Sequence, residues 1–198
     1  MKSLSANSLD DDLRRRDPDR WLSSRFVADP VQRARLAALY TLDGEWARVA
    51  AAVTTPLAGE IRLAWWSEAL ERLAAGGTAE HPALAALGQP AAAALRPLLE
   101  QVIGARREAL EDPAAGEAAA PTLMLAAARL LDPSTPEAPI RAAMSTGQTA
   151  KADLRRLPAQ AFPALAHLTL ARAYDRGRTP GELEKRLRIT WAVLTGRL

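Results

Sequence analysis

Gly59-Glu60-Ile61-Arg62-Leu63-Ala64-Trp65-Trp66-Ser67-Glu68-Ala69-Leu70 is the stretch on which the fold reading turns. Leu63, Trp66, Leu70 and, just beyond it, Leu73 recur at alternating three- and four-residue steps, so they fall on one face of an α-helix. Upstream, Thr55-Pro56 supplies an N-cap oxygen followed by a proline at the first helical position, where its missing N–H costs nothing. Downstream, Gly76-Gly77 is a stop signal. The spacing therefore predicts a helix from Pro56 to about Ala75. Trp65 and Trp66 diverge by about 100° around it, so at least one of them belongs to a core.

The same grammar extends in both directions. Asp17-Pro18, Asp29-Pro30, Thr135-Pro136 and Thr179-Pro180 repeat the cap-then-proline start, and Thr179 with Glu182 also makes a capping box. Leu39, Leu42, Trp46, Val49 and Val53 define a long helix from Asp29 to about Val53. A short helix follows His81-Pro82, and a longer one over 90–111 carries Leu95, Leu99, Val102 and Leu110. Residues 112–120 read as a loop, 121–131 as a short apolar helix and 132–139 as a Pro-rich connection, the best internal boundary. Residues 140–154 and 159–176 read as helices. The last helix, 180–195, carries Leu183, Leu187, Trp191 and Leu194 at helical spacing. No strand pattern and no internal repeat interrupts this, so the fold class is all-α, a helical bundle.

Composition agrees. Hydrophobic residues are 48% of the 198 residues but aromatics only 5%, and the apolar content is mostly Ala and Leu, both strong helix formers. The organisation expected is a flexible N-terminal tail at 1–16 and one helical domain at 17–198. Net charge is +3, from 26 basic and 23 acidic residues, with a pI near 9.8. The charges are interleaved, and only Lys2, Lys151 and Lys185 are lysines. Arginine raises the pI without requiring a basic face, so no nucleic-acid partner is expected. Cysteine is absent, which removes disulfides and thiolate metal sites. With no apolar leader and no run of about 20 apolar residues, the expected location is the cytoplasm, with peripheral membrane contact left open.

Candidate chemistry is sparse. Carboxylates one helical turn apart can share Mg²⁺ and so grip a diphosphate. Glu68 and Glu71 have that spacing, but Glu68 also faces Arg72 four residues on, which favours a surface ion pair. Glu108 and Asp112 end at Pro113. Asp43 and Glu45 are two apart and point to different sides of their helix. His81 and His167 stand alone, and no nucleophile elbow, P-loop or dinucleotide fingerprint occurs. Arg14-Arg15-Arg16 sits among aspartates and reads as a solvated tail. Arg48 and Arg62 lie near tryptophans in strongly patterned helices, where they either line a polar pocket or pair with acids such as Glu45 and Glu60.

Asp17-Pro18-Asp19-Arg20-Trp21, Ala38-Leu39-Tyr40-Thr41-Leu42 with Glu45-Trp46-Ala47-Arg48-Val49, and the opening stretch through Leu70 together resemble the N-terminal part of the squalene/phytoene synthase-like family. His81-Pro82 and Arg155-Arg156-Leu157-Pro158 fit the same pattern. The resemblance implies an isoprenoid synthase fold, here in shortened form. Active members condense two prenyl diphosphates head to head, holding Mg²⁺ on two Asp-rich helical motifs.

The departures bear on function. At the first motif the chain reads Leu42-Asp43-Gly44-Glu45, without paired aspartates. At the second it reads Gly147-Gln148-Thr149-Ala150-Lys151-Ala152-Asp153-Leu154, with one acid. Val102-Ile103-Gly104-Ala105-Arg106-Arg107 also lacks an expected acid. The pattern is similar to the non-catalytic branch whose members assist complex I assembly. It implies a catalytically degenerate protein, a pseudoenzyme that binds a protein partner or a prenyl or lipid ligand. The implied ligand-binding residues are Tyr40, Glu45, Arg48, Arg62 and Trp66, with no catalytic residue and no cofactor. The alternative is a Mg²⁺-dependent prenyltransferase using Asp43, Glu45 and Asp153.

Overall fold

The computed structural model describes residues 6–53, 55–145 and 154–198. Among them the chain is all-α, with no extended strand. The helices are α1 (Ala6–Arg16), α2 (Pro18–Ser24), α3 (Pro30–Ala52), α4 (Pro56–Ala74), α5 (Pro82–Leu87), α6 (Gln89–Glu108), α7 (Ala119–Leu131), α8 (Glu137–Ser145), α9 (Phe162–Leu165), α10 (Ala171–Asp175) and α11 (Glu182–Thr195). No helix of the described residues is long and apolar enough to cross a membrane.

Proline starts behave as the sequence predicts at four places. The side chains of Asp17, Asp29, Thr55 and His81 accept from the first-turn amides of α2, α3, α4 and α5. Helix α4 stops at Gly76, whose φ of +91° lies in the left-handed region that favours glycine. There the Gly77 amide returns to the Arg72 carbonyl at 2.8 Å. The other two expected caps fail. Helix α11 begins after Gly181 with no side-chain cap, so the box of Thr179 and Glu182 does not form. The Thr135 hydroxyl turns back to the Asp132 carbonyl at 2.7 Å, closing the end of α7 instead of starting α8.

Helix α6 is the hub, packed between α4 and α7, with α3 crossing both α5 and α7. The predicted stripes of α3 and α4 are the core: Leu36, Leu39, Leu42, Trp46, Leu63 and Leu70 are fully buried with Leu99, Ile103 and Leu123. Burying each such side chain stabilises by about 1.5–3 kcal/mol relative to leaving it in water. Gly59 brings α4 close to the far end of α6, since a Cβ there would sit 2.5 Å from Leu110 Cδ2.

Three expectations are corrected. Residues 6–16 of the supposed flexible tail form α1, because Leu9 and Leu13, one turn apart, are buried against the core. The three arginines are likewise engaged: Arg15 and Arg16 pair with Asp12, and Arg14 lies 4.9 Å from the Trp21 ring. The loop expected at 112–120 contains a 3₁₀ segment, Pro113–Ala118, and α7 already starts at Ala119. The single helix expected over 159–176 is broken into Ala159–Ala161 (3₁₀), α9, Ala166–Leu170 (3₁₀) and α10. Pro163 would press its ring on the Ala159 carbonyl in a continuous helix. The carbonyls of Pro163 and Ala164 instead accept from Ser23 Oγ at 2.6 Å and Tyr40 Oη at 2.8 Å.

Candidate functional site

Asp43 lies on the buried face of α3, one turn after Leu39 and Tyr40 and one turn before Trp46. A carboxylate there needs a cation or several donors. It has two guanidinium groups. Arg20 Nη1 of α2 donates to Oδ2 at 2.9 Å, and Arg106 Nη2 of α6 donates to Oδ1 at 2.8 Å. Burial alone works against the charge on Arg20, but Asp43, and after it Asp17, hold its pKa above the ordinary value. The Arg20 guanidinium also stands 5.0 Å from the centroid of the Tyr40 ring. Burial pushes the Tyr40 hydroxyl up, and its proton is committed to the Ala164 carbonyl.

Two residues along the same helix, Glu45 faces the opposite way, as their spacing predicts. It pairs with Arg48 on its own helix and with Arg16 of α1 at 3.3 Å. Burial, opposed by Arg16, raises its pKa. Glu45 and Arg48 stand at the rim of a groove of about 520 Å³ between α3 and α4. Val49, Ala52, Ile61, Trp65 and Trp66 make its walls, and Arg62 closes the other rim. Trp66 is buried and Trp65 is 37% exposed, so one tryptophan joins the core and its neighbour faces the opening. Trp66 is locked edge-on against Trp46, Trp65 and His81, with centroids 6.2, 4.9 and 4.8 Å away. Glu60 is not the partner of Arg62; it pairs with Arg107 at 2.9 Å.

Of the residues singled out from the sequence, Glu45, Arg48, Arg62 and Trp66 therefore line one groove. Tyr40 does not line it, because its hydroxyl, sunk in the core, is turned toward the α9 backbone. Asp43 and Glu45 diverge, and Asp153 lies outside the described residues. Glu68 reaches Arg72 at 3.7 Å on the surface.

Residues 13–149 match the profile of the family described as squalene/phytoene synthase. The chain belongs to the squalene/phytoene synthase family. No curated protein and no solved structure matches it.

Family membership implies Mg²⁺, and the donors can be tested against it. Among the described residues no three His, Asp or Glu side chains converge on a point that could hold a metal. Both oxygens of Asp43 already accept from arginine, and Glu45 is engaged by two more. The described donor set does not fit a divalent ion. Arg20 and Arg106 were missed by sequence reading, although Arg106 carried a signal. It follows Leu99 by seven residues and Val102 by four, so it sits on the buried face of α6 and requires an anion opposite.

Proposed function

We propose that this family member works by binding rather than by condensing prenyl diphosphates, and that its ligand is an amphiphile with a prenyl or lipid chain and an anionic end. The observation that carries the first part is the Arg20–Asp43–Arg106 triad. Each oxygen of this buried carboxylate already accepts from a guanidinium, and two adjacent cations oppose the approach of a divalent ion. The second part rests on the α3–α4 groove. Its walls are apolar and aromatic; at the rim Arg62 makes no ion pair among the described residues and Arg48 is shared with Glu45, so a phosphate end would meet Arg62 first. The catalytic step of the family is not carried over, and neither is an assembly role with a protein partner.

The test uses purified full-length chain with farnesyl or geranylgeranyl diphosphate. With Mg²⁺ present, no condensation product should form; turnover abolished by a chelator overturns the reading. Without metal, farnesyl diphosphate should quench the groove tryptophans. Arg48→Glu with Arg62→Glu should weaken that response at least tenfold while leaving the helical signal intact. If a protein is the occupant instead, the quench is absent or indifferent to these substitutions.

A further inference from the structure

Helix α11 is amphipathic in an inverted sense. Lys185, Ile189 and Ala192 are buried, whereas Leu183, Leu187, Trp191 and Leu194 are 72%, 62%, 61% and 76% exposed. Among the described residues these four are the largest cluster of exposed bulky apolar side chains on a single helix, and they share one face over about three turns. Leu187 and Trp191 also line a groove of about 490 Å³ whose remaining wall includes Arg172, Arg188 and Arg197. Arg188 is held by Glu184 at 2.8 Å. Arg172 and Arg197 make no ion pair among the described residues. Residues 171–198 carry seven basic and three acidic side chains, a larger excess than the +3 of the whole chain, so the rest of the chain is slightly acidic.

We propose that the α11 face docks on an anionic bilayer surface, with Leu183, Leu187, Trp191 and Leu194 entering the boundary between headgroups and acyl chains and the arginines resting on phosphates. A helix with a Leu/Trp face flanked by arginine, too short to span, lies in the plane of the interface. Tryptophan suits that depth because its ring is apolar and its N–H is polar. Charge decides between a bilayer and a second copy of the chain. Face-to-face self-association would bring two arginine rims together, whereas anionic headgroups complement them. This surface is separate from the α3–α4 groove, so the inference stands or falls independently of the proposed ligand.

Co-sedimentation of the full chain with vesicles tests it. The chain should bind vesicles of phosphatidylcholine with phosphatidylglycerol at least tenfold more tightly than phosphatidylcholine alone, and added salt should weaken binding. Leu187→Glu with Trp191→Glu changes only exposed side chains, and should release the protein at least tenfold with an unchanged circular dichroism spectrum. Arg172→Gln with Arg197→Gln should erase most of the preference for anionic vesicles. Leu57→Glu, at an exposed leucine of α4, should leave binding as it is. Three results overturn the proposal: no binding to anionic vesicles, binding indifferent to Leu187→Glu with Trp191→Glu, or equal release by Leu57→Glu. A concentration-dependent dimer in solution, dissolved by Leu187→Glu with Trp191→Glu, overturns it in favour of self-association.

Discussion

Helices α4 and α11 carry the same kind of apolar stripe and use it in opposite ways. In α4, Leu63, Trp66, Leu70 and Leu73 meet α6 and are buried; in α11, Leu183, Leu187, Trp191 and Leu194 meet water, while Lys185, Ile189 and Ala192 face inward. A three-four repeat thus identifies an amphipathic helix but not the side from which the protein approaches it. In α4 both neighbouring helices are long and present leucines. In α11 the neighbours are the broken segments around α9, whose small Ala166 and the adjacent Leu170 fit Ile189 and Ala192. Lys185 can be covered there because Asp19 waits at 2.8 Å.

The largest effect that would sharpen the contrast lies behind the first layer. Asp43→Ala leaves Arg106 without an anion and Arg20 with only Asp17, at 3.4 Å, and should cost about 3–5 kcal/mol in urea unfolding. Replacing all three together, with Asp43→Leu, Arg20→Met and Arg106→Met, should recover most of that loss. A tolerated Asp43→Ala would mean that the triad is solvated. Next comes the direct comparison of stripes. Leu63→Ala empties core volume and should destabilise by about 2–5 kcal/mol.

His167, packed edge-on to Tyr40 with centroids 6.1 Å apart, supplies a pH-dependent effect in the C-terminal region. Its Nδ1 is buried without a partner, and burial, assisted by Arg20, pushes its pKa down to about 3. The unfolded chain takes up this proton near pH 6.5 while the native state refuses it. Stability from this residue is therefore complete above about pH 6.5 and falls as the pH drops toward 3. Comparing wild type with His167→Phe between pH 7 and 5.5 isolates it, and over that window the expected difference is about 1 kcal/mol. Smallest of all, Leu187→Ala should change unfolding by no more than about 0.5 kcal/mol. Equal losses for Leu63→Ala and Leu187→Ala would erase the distinction between the two helices.

Much of the first layer was readable because one residue type did one job at each position. Asp17, Asp29 and Thr55 cap, the following prolines start, and Leu39 and Trp46 share a face that only a helix creates. Glu45, Arg48, Arg62 and Trp66 could be gathered because α3 and α4 are regular and adjacent. Tyr40 stands apart from the groove, and spacing alone does not tell whether a phenol finds its acceptor in a ligand or in a backbone carbonyl. That carbonyl, of Ala164, is free to accept because the helix around Pro163 is broken, a tertiary event. Residues 6–16 were read as a tail because their charges dominate; two leucines one turn apart were enough to fold them onto the core. The partners of Asp43 come from positions 23 residues before it and 63 after it, and no local pattern links them.

The triad also constrains what this lineage can become. Exposing Asp43 to a divalent ion requires removing Arg20 and Arg106, and adding acids beside it. Losing either arginine first costs the buried Asp43 one of its two charge-assisted hydrogen bonds before any metal can replace it, a step that selection on folding opposes. Divergence is thereby channelled to the outer walls, where Ile61, Trp65 or Arg62 can vary one at a time and alter what is recognised while the framework stays intact.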